Sequence, residues 1–196
     1  MIKVAICGGI GSGKSTVCRM FAERGAAIYD SDSRAKALMN ESAELREALT
    51  AEFGAECYED GVLNRPYLAS KVFGSAEQLS KLNSIVHPVV KADFLRWAEA
   101  QEGDFCILET AILFESGFDT LVDVKVAVLA PQPLRVMRAM ERDGAAKEQI
   151  ESRIKAQMSD DELMRRCDFA IVNIHLEDVE KDVAELAYRL KVNKNG

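Results

Sequence analysis

The sequence predicts an α/β fold, a parallel sheet of five strands with helices on both faces. Five short apolar stretches of strand length alternate along the chain with longer stretches of helical periodicity. A connection that contains a helix lets successive strands run parallel, so this alternation favours a parallel sheet. A glycine-rich loop, Gly8–Thr16, joins the first strand directly to the first helix.

The predicted strands are short and consist mainly of apolar residues. In chain order they are Ile2–Cys7, Ala26–Tyr29, Phe105–Leu108, Asp123–Ala130 and Phe169–Val172. A final helix carries an apolar stripe from Leu176 to Leu190, which we expect to pack on the sheet.

Two long excursions interrupt the predicted sheet. The first, residues 33–102, follows the second strand and is expected to be all-helical, with one long amphipathic helix from Ala35 to Leu49. A turn is predicted at Asp60–Gly61, a capping box at Ser75–Gln78 and a break in the helical pattern at His87–Pro88. The second excursion, residues 134–167, is rich in charged residues.

Composition narrows the classes of function. With 196 residues, the chain can form one core-bearing domain with small insertions. The net charge of −7 disfavours general nucleic-acid binding, which depends on basic patches. No apolar run approaches the ~20 residues of a membrane span, and the first strand leaves no room for a signal peptide. We therefore expect a cytoplasmic protein with no nucleic-acid, membrane or obligate protein partner.

Five cysteines are scattered along the chain without a C-x-x-C pair. Most of them lie in apolar segments, which predicts buried, reduced thiols and disfavours a zinc site. They are Cys7, Cys18, Cys57, Cys106 and Cys167.

The loop Gly8–Thr16 fits G-x-x-x-x-G-K-[ST], the phosphate-binding loop (P-loop) of nucleotide hydrolases and kinases. Its glycines let backbone N–H groups surround phosphate oxygens, and the helix N-terminus adds positive potential. Lys14 is expected to reach the β- and γ-phosphates, and the Ser15 hydroxyl to ligate magnesium. A chance match is disfavoured by the strand and helix on either side. The predicted nucleotide-binding residues are Gly11, Ser12, Gly13, Lys14, Ser15 and Thr16.

Two carboxylates, Asp30 and Asp32, follow the second strand, one step from the phosphate loop in a parallel sheet. A kinase needs a carboxylate there to accept or orient the proton of the attacking hydroxyl. Capping of a helix that begins near Ser33 is the competing role. The sequence leaves both roles open for Asp30 and favours catalysis for Asp32.

Four other polar residues are candidates for the site. Arg138 and Arg142 share a helix face and could stabilise charge on a transferring phosphoryl group, although charged runs are usually solvated faces. Glu109 matches the Walker B position, which would hold the magnesium shell, but the pattern is a weak signal. His87 could touch substrate or serve a structural role.

The chain resembles the dephospho-CoA kinase family nearly end to end. The resemblance depends on the phosphate loop and on Asp30-Ser31-Asp32, where the family has Asp-Ala-Asp. It also depends on further blocks, which are Asp60–Arg65, Leu82–Pro88, Leu113–Gly117, Arg138–Asp143, Ala156-Gln157 and Ile171–Asn173.

The resemblance implies an adenylate-kinase-like P-loop NTPase with a core, an inserted helical substrate domain and a helical lid. It also implies transfer of the ATP γ-phosphate to the ribose 3′-hydroxyl of dephospho-CoA. The implied bounds are 1–32, 103–133 and 168–196 for the core, 33–102 for the acceptor domain and 134–167 for the lid.

The resemblance also implies roles for single residues. Asp32 takes the place of the family's base, Arg138 and Arg142 fall in the lid, and His87 and Leu113 fall on the substrate side. Two departures from the family pattern are Ala111, where Pro is usual, and Lys36, where Arg is usual. Lysine cannot offer the bidentate fork of arginine.

Two alternatives compete with this function. Another small-metabolite or nucleoside monophosphate kinase would share the core and differ in the helical insertion. A GTP-dependent switch would need D-x-x-G, and no Asp in the chain has Gly three residues on. It would also need Asn-Lys-x-Asp, but Asn193-Lys194 is followed by Asn195-Gly196.

Overall fold

The computed structural model describes residues 1–193, which form two compact units. One unit comprises Met1–Tyr29 and the chain from Ala100 onward, and the other comprises Asp30–Glu99. Residues 194–196, which end the predicted core and complete the Asn193–Gly196 segment, lie outside the described residues.

Strands and helices alternate as the sequence predicts. The strands are β1 (Ile2–Cys7), β2 (Ala27–Asp30), β3 (Tyr58–Glu59), β4 (Val62–Leu63), β5 (Phe105–Thr110), β6 (Val124–Leu129) and β7 (Phe169–Val172). The helices are α1 (Lys14–Ala22), α2 (Ser31–Glu41), α3 (Ala43–Phe53), α4 (Arg65–Val72), α5 (Ala76–Glu99), α6 (Gln132–Asp143), α7 (Lys147–Lys155), α8 (Asp160–Arg166) and α9 (Leu176–Asn193).

The predicted five-stranded parallel sheet is confirmed, with strand order β2-β5-β1-β6-β7. Strand β1 lies at its centre and pairs in parallel with β5 and β6, while β6 pairs with β7. Residues Val4–Cys7 of β1 are buried without alternation, because a parallel sheet is covered on both faces. The carboxyl ends of these strands therefore meet at one edge, where the phosphate loop begins.

Helices α1 and α9 pack on one face of the sheet. Val17 and Phe21 of α1 and Val183 and Leu186 of α9 are buried in one cluster with the strand residues. Burying each such side chain contributes about 1.5–3 kcal/mol. The predicted stripe of the last helix thus packs on the sheet, except that Leu176 is exposed.

Residues Asp30–Glu99 correct the predicted all-helical insertion in three places. The first is Ser42, which divides the predicted long helix into α2 and α3. Its backbone is extended (φ −84°, ψ 120°), and its side chain accepts a hydrogen bond from the Leu45 N–H. Serine is a favoured helix N-cap, and this local preference outweighed the continuous apolar face.

The second correction is a β-hairpin within this unit, in which β3 pairs with β4 antiparallel. Asp60 (φ 49°) and Gly61 (φ 81°) form its turn, as the sequence predicts. Two successive residues with positive φ are typical of a type I′ hairpin turn, which matches the twist of the flanking strands. The turn therefore closes a pair of strands instead of joining two helices.

The third correction is at His87–Pro88, where we expected a break. Helix α5 runs without interruption from Ala76 to Glu99 and contains Pro88. An internal proline removes one backbone hydrogen bond, while the buried Val86, Val90 and Phe94 anchor the helix on either side of it. The helix also ends at Glu99, before the predicted limit at residue 102.

All five cysteines are free, and all but Cys167 are buried. Cys7, at the end of β1, and Cys167 lie with their Sγ atoms 3.5 Å apart. The hydrogen bond between them raises the pKa of Cys7 and lowers that of Cys167.

Within residues 1–193, none of the helices has the length and apolarity to cross a bilayer.

Candidate functional site

The phosphate loop connects β1 to α1 in a conformation that requires glycine. Gly13 is the N-cap of α1 and is left-handed (φ 94°), and Gly11 has a φ of 75°. A Cβ on Gly13 would lie 1.9 Å from Asn173 Nδ2, and one on Gly11 would lie 2.1 Å from the Arg135 carbonyl oxygen. Residues from later parts of the same chain thus pack directly on the outside of the loop.

The inside of the loop presents donors to an anion. The first N–H groups of α1 lack intrahelical acceptors by helix geometry, and the helix dipole adds positive potential. Lys14 begins the helix, and its Nζ donates to the Gly8 carbonyl at 3.0 Å. Lys14 therefore lies across the loop.

Ser15 and Glu109 meet at the base of the loop. The Ser15 hydroxyl donates to Glu109 Oε1 at 2.7 Å. The pairing of β1 with β5 sets this distance, because Glu109 stands beside Ile6 in the sheet. Magnesium at phosphate sites is held by one or two protein oxygens together with phosphate and water. The Ser15 hydroxyl and the Glu109 carboxylate provide two such protein oxygens, so they fit a magnesium site.

Asn173 connects the loop to Arg138. Its Nδ2 donates to the Ser12 backbone carbonyl at 2.9 Å, and its backbone carbonyl accepts from Arg138 Nη1 at 3.1 Å. Among residues 1–193, the buried Ser12 hydroxyl and Asn173 Oδ1 have no hydrogen-bond partner. Buried polar atoms are usually paired, so their presence beside the loop fits a site that receives a polar ligand.

The structure does not bring Arg142 to the loop. Arg142 is exposed and binds its neighbour Asp143 through two hydrogen bonds, of 2.7 and 3.1 Å. Arg153 reaches the same carboxylate at 3.1 Å. The hydrogen bond from Arg142 holds the pKa of Asp143 below its usual value. Only Arg138 of the predicted arginine pair is therefore next to the loop.

Leu113 lies in the core, with 1% of its surface exposed. Its carbonyl accepts the Phe118 N–H at 3.0 Å. The preceding turn contains Ala111 where the family has Pro, and Thr110 Oγ1 accepts the Ile112 N–H there at 3.3 Å. In this structure Leu113 shapes the turn, and its side chain is not available to a substrate.

Three further candidates lie in the unit formed by Asp30–Glu99. Asp30 caps α2, accepting from the N–H groups of Asp32 (3.0 Å) and Ser33 (3.2 Å). The Asp32 side chain is exposed in the first turn of α2, so the capping role belongs to Asp30. His87 is half-buried in α5, and burial, with a smaller effect of Lys91, lowers its pKa.

Four residues that the structure places on the loop or against its neighbours carry no individual signal in the sequence. In the sequence, Arg135 is one of many charges in residues 134–167, and Gln157 and Asn173 belong to blocks that resemble the family. Burial distinguishes two of the four: Arg135 is 4% exposed and Asn173 is 2% exposed. The fourth residue, Asp160, pairs with Arg135 at 2.8 Å. No sequence pattern predicts which charges of a polar segment become buried.

The chain is similar to known proteins over a stretch that includes all the site residues described above. The family model for dephospho-CoA kinase matches residues 2–178. A dephospho-CoA kinase of Porphyromonas gingivalis is 44% identical over 174 residues, covering 88% of this chain and 86% of the relative. One of Salinibacter ruber is 42% identical over 191 residues, covering 95% and 96%. A crystal structure of TT1252 from Thermus thermophilus aligns with a TM-score of 0.81 and 32% identity, covering 96% of this chain and 97% of that one.

Proposed function

The chain belongs to the dephospho-CoA kinase family, and from that premise we propose that it transfers the γ-phosphate of ATP to the ribose 3′-hydroxyl of dephospho-CoA. The observation that carries the proposal is the loop between β1 and α1, with Lys14 across it and Ser15 against Glu109. A second candidate function finds no specific support among the described residues.

The loop binds the triphosphate of ATP. Backbone N–H groups from Gly11 to Thr16 surround the phosphate oxygens, and Lys14 exchanges the Gly8 carbonyl for the β- and γ-phosphates. Magnesium, when held by Ser15 and Glu109, supplies charge neutralisation on these phosphates. Phosphoryl transfer then depends mainly on position and electrostatics.

Asp32 acts as the base in this proposal. The 3′-hydroxyl oxygen attacks the γ-phosphorus, its proton passes to the Asp32 carboxylate, and ADP departs with the electrons of the broken bond. The cap provided by Asp30 leaves Asp32 without a structural task at the start of α2. His87 and Leu113 serve the acceptor side, Leu113 through the turn that it shapes.

Arg138 stabilises negative charge on the transferring group, since it is already tied to the loop through Asn173. Residues 134–167 act as the lid, and its closure brings Arg142 from Asp143 toward the phosphates and excludes water. Four buried cysteines suit a reducing compartment, and we place the enzyme in the cytoplasm, where its partners are its small-molecule substrates.

The test is a coupled ADP-release assay with dephospho-CoA, adenosine, AMP and pantetheine as acceptors, with mass spectrometry of the product. Dephospho-CoA should exceed adenosine at least ~100-fold in kcat/KM, because remote binding energy orients the hydroxyl. Pantetheine, which lacks the ribose, should release no ADP above background. A better rate with AMP would overturn the assignment of the acceptor.

A further inference from the structure

Both polar backbone groups of Ile10, at the outer bend of the phosphate loop, are held by side chains from elsewhere in the same unit. The Ile10 N–H donates to Gln157 Oε1 at 2.8 Å. The Ile10 carbonyl accepts from Arg135 Nε at 3.0 Å. The bend is thus fixed in orientation by two side chains outside the loop.

The Arg135 side chain is a buried charge, with only 5% of its surface exposed. Its Nη1 pairs with Asp160 Oδ1 at 2.8 Å. Its Nη2 packs so close to Gly9 that a Cβ on that residue would lie 1.9 Å from it. Burying a guanidinium is costly unless each donor finds a partner. The hydrogen bonds of Nε and Nη1 therefore fix the position of Arg135 against the outside of the loop.

This orientation matters because a peptide unit has two ends of opposite polarity. A loop that binds phosphate needs N–H groups inside and carbonyls outside, since a carbonyl that faced the anion would repel it. The Ile10 carbonyl is drawn outward by a cationic donor. The same side chain leaves the inner face of the loop to N–H groups and Lys14.

We propose that Arg135 is a positioning residue for phosphoryl transfer, which holds the Ile10 carbonyl outward and so preorganises the loop for the ATP phosphates. This inference rests on the proposed function and deepens it, because it assigns the geometry of the phosphate site to a residue outside the P-loop motif. Asp160 has the auxiliary role of balancing the buried charge.

The two roles of Arg135 can be separated by substitution. Glutamine places an amide nitrogen where arginine carries Nε, so Arg135→Gln keeps a donor for Ile10 and removes the charge. Arg135→Met gives a side chain of nearly the same length as glutamine but without a hydrogen-bond donor. Both changes are made together with Asp160→Asn, so that no carboxylate is left without its partner, and Arg189→Met, at an exposed pair on α9, is the control for loss of an arginine.

Binding of tripolyphosphate, measured by calorimetry, isolates the loop from adenine and acceptor contacts. We expect the Gln/Asn variant to bind tripolyphosphate and to use ATP (kcat/KM) about tenfold better than the Met/Asn variant, because one buried carbonyl regains its donor. The KM for dephospho-CoA should be alike in the two variants. Arg189→Met should match the parent enzyme in every measurement.

Equal tripolyphosphate affinity in the Gln and Met variants would overturn the proposal, as would a difference confined to thermal stability. If the Met variant does not fold, Arg135→Lys replaces it, because lysine keeps the charge for Asp160 but has a methylene where Nε was. Lysine must then bind tripolyphosphate more weakly than glutamine does, or the proposal fails. Since tripolyphosphate needs no acceptor, an error in the proposed acceptor would leave this comparison intact.

Discussion

At the scale of single residues, Asp30 and Asp32 form a matched pair with different tasks. Asp32→Asn should lower turnover by ~10²- to 10⁴-fold, the usual contribution of a general base, with little change in thermal stability. Asp30→Asn should keep both properties, because asparagine caps helices about as well as aspartate. Initial rates and melting curves check this, and equal activity of the two variants would remove the base assignment.

Lys14 carries a charge that can follow the moving γ-phosphoryl group. Lys14→Ala should reduce turnover by roughly two to four powers of ten, as for the loss of a preorganised electrostatic group. ATP binding should weaken far less, because the backbone N–H groups of the loop remain. Single-turnover kinetics with an independent ATP titration separate the two effects, and near-normal turnover would exclude the loop as the transfer site.

His87 predicts a pH dependence of stability. Burial, followed by the charge of Lys91, lowers its pKa in the folded protein below the ordinary value of 6.5. The unfolded chain therefore binds this proton more readily than the folded protein does. As the pH is lowered below 6.5, the free energy of unfolding decreases, and the decrease ends once the pH is below the pKa of His87 in the folded protein.

Melting temperatures measured from pH 7.5 to 5 should therefore fall less for His87→Gln than for the parent protein. The matched control is His175→Gln, at an exposed histidine, which should follow the parent curve. Parallel curves for the parent and His87→Gln would show that His87 does not titrate as its surroundings require.

At the scale of elements, α5 tolerates a proline because its apolar face is anchored on both sides. Pro88→Ala restores one backbone hydrogen bond and should raise the free energy of unfolding by about 1–2 kcal/mol, after the more flexible unfolded chain is allowed for. If the proline orients His87 toward the acceptor, the same change should lower kcat/KM for dephospho-CoA while the KM for ATP stays constant. Urea unfolding and steady-state kinetics test the two parts, and a less stable variant would contradict the first.

Helix α6 combines two tasks on one element. Arg135 and Val136 are buried against the loop region, and Arg142, two turns later, is exposed. Arg135 and Arg142 are about two helical turns apart, so the 3.6-residue period puts them on the same side of α6. That period alone does not tell a buried arginine from a solvated one. The sequence therefore located the helix and its charges, and packing decided which charge touches the loop.

At the scale of the whole molecule, the proposed lid has a fixed start. Because Arg135 holds the beginning of α6 to the loop, we expect motion to concentrate from Arg142 onward, around the exposed Gly144. Limited proteolysis should cut residues 143–156 in the free enzyme, and ATP with dephospho-CoA together should protect them.

Cleavage within residues 100–104, before β5 and away from the loop end of the sheet, is the reference and should not depend on ligands. Equal protection of residues 143–156 with and without both ligands would refute the lid.

The sequence by itself determined the alternation of strands and helices, the phosphate loop and the family. These features depend on local patterns, such as apolar runs, glycine spacing and capping residues, that neighbouring residues set among themselves. Strands β1 and β7 match the predicted bounds. Of the predicted capping box one half is present: Ser75 Oγ accepts from the Gln78 N–H at 3.2 Å, while the Ser75 N–H donates to the Val72 carbonyl. The roles of all the candidate site residues, Asp32, His87 and Arg142 among them, stay predictions.

Only the tertiary structure decided the contacts between residues far apart in the chain. Arg135 meets Ile10 across 125 positions, and Asn173 meets Ser12 across 161. Such pairs depend on how the sheet brings distant strand ends together, and no local pattern records it. The same holds for α5, where long-range burial of Val86 and Phe94 outweighed the local preference of Pro88 to end a helix.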